Sequence, residues 1–301
     1  MPSPLVYSED RSDGSASPHA NEASTLRMVE QIRRMRGGAQ SHLMRSRNND
    51  YYVVKFQGNP QGTRILVNEL LGTQLAARLG LPTTPTAICY VGEELIRLTP
   101  DLCIEIARGR TPCRPGLHFG SRYVLDPREV KLLDFLPNHE LARVKNVADF
   151  RGMLVFDKWT SNCDRRQTLF CQSDINTPFE AVMIDQGFCF SGGEWGYPDT
   201  PLRGLHRQYI VYEQVRGMAD FEPWITKLER INEGVLMQLA ESIPPEWYEF
   251  DSDSFKRLLE RLDCRRSRVR ELLWEARKCV PGAFPNWNCP LALGFAGHTH
   301  V

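Results

Sequence analysis

The chain has 301 residues, of which 42% are hydrophobic and 10% aromatic, so it can bury a sizeable core as one large domain or as two lobes. Its 37 Lys and Arg residues equal its 37 Asp and Glu residues, and this balance argues against a dedicated nucleic-acid-binding protein. No run of about 18 apolar residues occurs, so the sequence predicts no membrane-spanning helix.

The cysteines and the first residues of the chain indicate a cytoplasmic protein. The chain has nine Cys residues, with no Cys-x-x-Cys pair and no Cys/His cluster at zinc spacing. The start of the sequence has neither the basic nor the apolar region of a secretory signal. We therefore expect reduced, mostly buried cysteines and a cytoplasmic location.

Both ends of the chain differ in composition from the middle. Residues 1–24 are rich in Ser, Pro, Asp and Asn and poor in large apolar residues, which predicts a disordered leader. Residues 281–301 are rich in Pro and Gly and are expected to form a loosely packed tail.

The first structured part of the chain is predicted to be a hairpin around a Gly-Gly turn. Small residues from Gly37 and Gly38 to Ser41 separate residues 26–36 from a strand that ends near Lys55. The backbone amides of this turn are expected to approach phosphate groups, with Lys55 reaching the same charge. An ordinary hairpin with an exposed Lys is the alternative.

A helix is predicted over residues 64–80, because leucines from Leu66 to Leu75 recur at helical spacing and Gly80 can end the helix. Glu69 lies within this apolar stripe, and an unpaired buried carboxylate is costly. Lys55, on the preceding strand, is its natural partner. The alternative places Glu69 at the rim of the stripe.

Further secondary structure leads to the central segment of the chain. We predict strands at 87–91 and 118–124, with irregular structure between them at 97–115, which contains three prolines. Asp149 is a plausible N-cap for a helix that begins the segment 152–190.

The segment 152–190 carries the candidate chemistry. An apolar helix leads into a polar loop, and two short strands at 168–171 and 181–184 follow. A hairpin of these strands places Asp185, at the end of the second strand, beside the loop residues Asp164 and Gln167. Carboxylates and an amide around Mg²⁺ are the arrangement that phosphoryl transfer uses, and Gly187 is expected to free the backbone there. An exposed polar turn is the alternative.

The remainder of the chain is predicted to be helical. A Gly/Pro-rich loop at 191–204 lies beside the proposed site, and helices are expected at 220–242 and 252–278. Strands with one strong helix, followed by helices, fit an α+β enzyme with a cleft between two lobes.

The order of these features resembles the protein-kinase-like superfamily, most closely the HipA-like kinases and more distantly the phosphatidylinositol kinases. Lys55, in Tyr-Tyr-Val-Val-Lys-Phe, looks like the phosphate-binding Lys, and Glu69, in Val-Asn-Glu-Leu-Leu-Gly, looks like its partner. Asp164, in Asn-Cys-Asp-Arg-Arg-Gln, is similar to the catalytic Asp of an Asp-Arg-His loop. Asp185, in Met-Ile-Asp-Gln-Gly, matches the metal-binding Asp of an Asp-x-Gly turn.

The resemblance covers roughly residues 26–278 and implies a bilobal protein-kinase-like fold. Its β-rich N-terminal lobe would span residues 25–125, and its mostly α-helical C-terminal lobe residues 126–280. ATP and Mg²⁺ would bind between the lobes.

The loop departs from the family pattern at two places. Arg166 stands where the family has His, and apolar Leu169 stands where it has a metal-binding Asn. Either the loop is two residues shorter and Gln167 serves as the metal ligand, or Asn162 holds the catalytic position and no carboxylate base is present.

The resemblance implies ATP- and Mg²⁺-dependent phosphoryl transfer to a hydroxyl group, with Ser or Thr of a protein as the expected acceptor and a small molecule or lipid as the alternative. Asp164 would take the hydroxyl proton, and Arg165 or Arg166 would offset charge on the phosphoryl group. A nucleotide-binding pseudokinase that acts as an interaction module is the main alternative. A structural protein is favoured only if Lys55, Glu69 and Asp185 do not converge.

Overall fold

The computed structural model of the protein describes residues 25–107, 109–123, 131–172, 174 and 176–287. The predicted leader at 1–24, most of the predicted tail and the predicted lobe boundary at 125–126 therefore lie outside the described residues.

The elements of the N-terminal part are β1 (Thr25–Arg34), β2 (His42–Ser46), β3 (Tyr51–Lys55), α1 (Ile65–Arg78), β4 (Thr86–Val91), α2 (Glu93–Leu98), β5 (Cys103–Ile106), β6 (Gly109–Pro112) and β7 (Gly116–Arg122). Five of the strands form a closed barrel in the order β1–β2–β3–β7–β4, with α1 between β3 and β4 in the chain. Neighbouring strands are antiparallel except for β1 and β4, which are parallel. The barrel closes over its own apolar cluster, which includes Met44, Val54 and Phe56.

The region 97–115 is more regular than the sequence predicts. It contains the end of α2 and the antiparallel hairpin of β5 and β6. One of the three prolines that suggested irregularity, Pro112, is the last residue of β6 and pairs with Cys103 in a sheet of two strands. A missing amide is tolerated at such an edge, so the proline does not prevent the strand.

The C-terminal part combines a three-stranded sheet with helices. The sheet has the order β10–β9–β8, and the predicted hairpin is confirmed, because Ile184 of β10 pairs with Gln167 of β9. The elements are β8 (Lys131–Leu133), α3 (Asn138–Leu141), α4 (Asp149–Thr160), β9 (Gln167–Gln172), β10 (Glu180–Ile184), α5 (Glu222–Glu229), α6 (Glu233–Ala240), α7 (Ser252–Arg265) and α8 (Val269–Cys279).

The limits of several helices differ from the prediction. Asp149 is the first residue of α4 and makes no N-cap bond; its carboxylate accepts a hydrogen bond from Asn146 instead. The predicted helix 220–242 is divided into α5 and α6, because Asn232 caps a new helix start by accepting from the Val235 amide. The predicted helix 252–278 is likewise divided, by a 3₁₀ turn at Arg266–Arg268.

Helix α1 is confirmed, but it is buried on almost all sides rather than along one stripe. Every residue from Ile65 to Thr73 is buried, because α1 lies between the barrel and the C-terminal helices. Helix α4 is likewise buried from Gly152 to Thr160 and contacts α1, α5, α7 and α8. Burying one large aliphatic side chain contributes about 1.5–3 kcal/mol, so these two helices dominate the core that positions the cavity described below.

The described cysteines are all free thiols, and about half of them are buried. None of the described helices has both the length and the apolar character needed to cross a bilayer.

Gly152 permits the close packing of α4 against α5, because a Cβ atom there would lie 2.3 Å from the indole nitrogen of Trp224. We expect Gly152→Ala to lower the free energy of unfolding by about 2 kcal/mol, since an overpacking cost of about 3 kcal/mol outweighs a helix-propensity gain of about 1 kcal/mol. Urea unfolding measures this, with Gly282→Ala as the control because a Cβ at Gly282 meets nothing within 4 Å. Equal stability of the two variants would contradict the packing described.

Candidate active site

A buried Lys joins two carboxylates at the junction of the barrel and the C-terminal part. Lys55, the last residue of β3, donates through Nζ to Oε1 of Glu69 on α1, which confirms the predicted pair. The same Nζ donates to Oδ1 of Asp185 at 3.0 Å. Three separate elements, β3, α1 and the end of β10, therefore meet at one ammonium group.

The charges of this triad shift one another's pKa values. Burial opposes the charged ammonium, but the two carboxylates more than offset this, so the pKa of Lys55 lies above its usual value. Burial raises the pKa of Glu69 to about 7, against the opposing effect of Lys55. Burial also disfavours ionised Asp185, yet Lys55 holds the pKa of Asp185 below its usual value. The carboxylate of Asp185 is therefore ionised near neutral pH.

In the turn after β10, Gly187 has a different role from the one that the sequence suggests. Asp185 itself adopts the left-handed conformation, with φ of 59°, whereas Gly187 does not. Gly187 is required for close approach, since a Cβ there would lie 2.8 Å from Ile65 Cγ2 and 3.1 Å from Glu69 Oε1. The backbone amide of Gln186 donates to Glu69 Oε2 at 3.0 Å, which fixes the turn against α1.

The triad opens into a cavity of about 620 Å³. The turn at Gly37 and Gly38 lines this cavity, and Gly37 has φ of 124°, a conformation that L side chains rarely adopt. The predicted residues that line the cavity are Gly37, Gly38, Ser41, Lys55, Glu69, Asp164, Gln167 and Asp185. Apolar wall residues include Val53, Phe119, Leu169, Val182 and Met183. The structure thus gathers eight of the eleven candidate residues around one space.

Three candidates do not line the cavity: exposed Arg165 and the buried residues Arg166 and Asn162. The Arg166 side chain is fully buried, and its Nε and Nη2 donate to the two carboxylate oxygens of Asp157. Its Nη1 donates to Gln186 Oε1 at 2.8 Å. A guanidinium satisfied in this way is not available to a phosphoryl group, so the placement does not support direct catalytic contact by Arg166.

Asn162 is buried and serves the geometry of the loop. It donates to Asp157 Oδ1 at 2.9 Å and accepts from the Asp164 amide at 3.1 Å. Asp157, Arg166 and Asn162 therefore form one buried network beneath the loop that carries Asp164.

Asp164 and Gln167 lie on the exposed side of that loop. The carboxylate of Asp164 is half-buried and accepts from the Arg165 amide at 2.7 Å and from Gln167 Nε2 at 3.2 Å. An amide that donates through its nitrogen keeps its oxygen as an acceptor. Gln167 therefore retains an oxygen suited to a cation.

Few of the cavity residues are placed to hold a divalent cation. Among the described residues, no group of three or more His, Cys, Asp or Glu side chains is placed to hold a metal ion. A cation at Asp185 would need further oxygens from bound phosphate and from water, which is how Mg²⁺ commonly binds in proteins. Asp185 and Gln167 fit such a partial site.

Sequence reasoning missed two buried polar residues that hold this site together, Asp157 and Asn68. Each lies in an apolar helix, so the argument applied to Glu69, that a polar residue in an apolar stripe needs a partner, was available for both. The cavity wall also includes the hydroxyls of Thr84 and Ser121, 2.6 Å apart, for which the sequence offers no comparable signal.

The network beneath the loop predicts that Arg166 acts through stability. We expect Arg166→Ala to lower the free energy of unfolding by about 3–5 kcal/mol, because it leaves Asp157 buried and unpaired. Arg165→Ala, a change of the neighbouring exposed Arg, should alter it by less than about 0.5 kcal/mol. Urea unfolding of both variants checks this. Normal stability of the Arg166→Ala protein would contradict the structural role and make Arg166 a catalytic candidate again.

Comparison with known proteins gives both a structural and a family result. The Helicobacter pylori proinflammatory kinase CtkA superposes with a TM-score of 0.55 and 14% identity, covering 86% of this chain and 98% of that one. The Golgi casein kinase superposes with a TM-score of 0.49 and 14% identity, covering 89% and 77% of the respective chains. No match is found among curated proteins. The likeness to CtkA shows the expected fold, an α+β bilobal protein-kinase-like fold. The HipA-like kinase model matches residues 28–276, and the chain belongs to the HipA-like kinase family.

Proposed function

We propose that the protein is an ATP- and Mg²⁺-dependent kinase that transfers a phosphoryl group to a hydroxyl group, with Ser or Thr of a protein as the acceptor. The observation that carries the proposal is the convergence of Lys55, Glu69 and Asp185 in one cavity, together with Asp164 and the Gly37–Gly38 turn. Membership of the HipA-like kinase family supports the same reaction class.

The nucleotide would bind in the cavity of about 620 Å³. Lys55 has three ammonium protons and directs two hydrogen bonds to Glu69 and Asp185, so one donor remains for phosphate. Backbone amides of the Gly37–Gly38 turn and Ser41 would add neutral donors to the phosphates. The apolar wall, with Val53 and Leu169 among its members, suits a nucleobase.

Asp185 and Gln167 would hold Mg²⁺ on the phosphates. Asp185 is suited to this because its pKa is lowered and its carboxylate is ionised near neutral pH. The cation would neutralise charge on the β- and γ-phosphates.

Asp164 is the residue that we assign as general base. It lines the cavity, whereas Asn162 is buried beneath the loop and engaged with Asp157. Only a carboxylate can accept the hydroxyl proton; an amide cannot. Of the two arginines, exposed Arg165 rather than buried Arg166 would offset charge on the phosphoryl group.

A nucleotide-binding pseudokinase is the second candidate. The observation that favours it is the state of the Asp164 carboxylate, whose two oxygens both accept hydrogen bonds from within the loop. The structural alternative depended on Lys55, Glu69 and Asp185 lying apart, and these residues meet. Transfer of radiolabelled phosphate from ATP to a protein hydroxyl, or to water, separates the enzyme from the pseudokinase.

We expect Asp185→Ala to abolish the Mg²⁺-dependent part of ATP binding while the fold persists, because Lys55 keeps Glu69 as a partner. Titration calorimetry with and without Mg²⁺ measures the effect. Asp174→Ala, in the turn between β9 and β10, is the control and should bind Mg²⁺–ATP normally. Unchanged Mg²⁺–ATP affinity in Asp185→Ala would count against the proposed kinase function.

We expect Asp164→Asn to lower turnover about 10²–10⁴-fold with little change in nucleotide affinity, because the loss of a general base falls mainly on the transition state. Asn162→Ala should affect turnover less and stability more, since Asn162 bonds to Asp157. Steady-state kinetics and unfolding curves of both variants test the assignment. Full turnover in Asp164→Asn, with loss in Asn162→Ala, would move the catalytic position to Asn162.

A further inference from the structure

Asn68, the residue before Glu69 in α1, binds the backbone that follows the turn at Asp185. Asn68 is fully buried in α1, and the two protons of its Nδ2 are shared among the carbonyl oxygens of Gly187 at 2.7 Å, Cys189 at 3.0 Å and Gly192 at 3.0 Å. One side chain thus spans six residues of the segment downstream of Asp185. Asn68 is not among the residues that line the cavity.

The far end of the same segment also returns to Asn68. The indole nitrogen of Trp195 donates to Asn68 Oδ1 at 2.9 Å. The Arg64 guanidinium lies over the Trp195 ring, 4.6 Å from its centre, and Arg261 donates to the Trp195 carbonyl at 3.0 Å. Segment 185–195 is therefore held at its start by the Lys55–Asp185 and Gln186–Glu69 hydrogen bonds. Asn68 holds it from Gly187 to Trp195.

The segment needs such support because its backbone is strained. Left-handed φ values of 50–67° occur at the non-glycine residues Asp185, Phe190, Ser191, Trp195 and Tyr197. Each such residue costs on the order of 1–3 kcal/mol and persists only where surrounding contacts over-determine it. The carbonyl groups that Asn68 binds, those of Gly187, Cys189 and Gly192, lie within this strained stretch.

We propose that Asn68 is a positioning residue for Asp185: by fixing the backbone from Gly187 to Trp195, it holds the Asp185 carboxylate in the orientation that binds the divalent cation. The inference rests on the proposed kinase function. Residues that orient metal ligands without touching the metal typically contribute about 10–100-fold to metal affinity. Asn68 and Glu69, adjacent in α1, then fix the two sides of one turn.

A second asparagine supplies a matched control. Asn146 bonds to the backbone of β10 at its other end, accepting from the Ala181 amide at 2.8 Å and donating to the Ala181 carbonyl at 2.9 Å. Replacing Asn146 removes a side chain of the same type that binds backbone at the start of β10, without reaching the turn at Asp185. Asn146→Ala should therefore change stability without changing cation binding.

The experiment compares Asn68→Ala with Asn146→Ala in the full chain. We expect Asn68→Ala to raise the Mg²⁺ concentration for half-maximal Mg²⁺–ATP binding by about 10–100-fold, with ATP affinity in the absence of metal changed less than about twofold. Amide hydrogen exchange should accelerate at residues 186–195 in Asn68→Ala. Neither change should occur in Asn146→Ala, although its thermal midpoint should fall.

A Mg²⁺ requirement that shifts no more in Asn68→Ala than in Asn146→Ala would overturn the proposal, as would unchanged exchange at residues 186–195. If Asn68→Ala does not fold, Trp195→Phe replaces it, because this variant keeps an aromatic ring and loses the indole donor to Asn68. It should raise the Mg²⁺ requirement several-fold, and an unchanged Mg²⁺ requirement would overturn the proposal. If the wild-type protein binds no Mg²⁺–nucleotide, the proposed function has failed, and the exchange data then decide whether Asn68 fixes the segment.

Discussion

The contact of one ammonium group with two carboxylates is the interaction on which the rest of the structure depends. Lys55 comes from the barrel, Glu69 from α1 and Asp185 from the end of β10, so no two of these charges belong to the same element. Removing a partner from a buried ion pair costs about 3–5 kcal/mol, because the remaining charge is left without compensation. The ion pairs therefore fix the relative positions of three elements and, at the same time, place the charges around the cavity.

Helix α1 converts this electrostatic contact into a defined backbone geometry. Its consecutive polar residues, Asn68 and Glu69, both bind the backbone after Asp185, Asn68 as donor and Glu69 as acceptor. Asn68 also accepts from the indole of Trp195. The glycine at 187 allows the turn to approach the helix closely. A strained turn held against a buried helix is preorganised, and preorganised charge is the main source of stabilisation in phosphoryl transfer.

A second buried ion pair separates the structural from the chemical side of the loop. Arg166 and Asp157 are fully buried, whereas Asp164, only two residues before Arg166, lines the cavity. The loop thus has an inward face that anchors it to α4 and an outward face that carries the candidate base. Arg166, which stands where the family pattern has His, is the residue that anchors the loop to Asp157 of α4.

The sequence by itself determined those features for which the signal is local. Helical spacing predicted α1, alternating turns and apolar runs predicted the β9–β10 hairpin, and the cost of burying Glu69 unpaired predicted its contact with Lys55. Only the tertiary structure decided which way the polar loop residues face, because a loop has no period that assigns side chains to core or solvent. Arg166 is turned inward because it pairs with Asp157 on the buried helix α4. The position of Asp157 is set by the packing of α4 and not by its spacing from Arg166 along the chain.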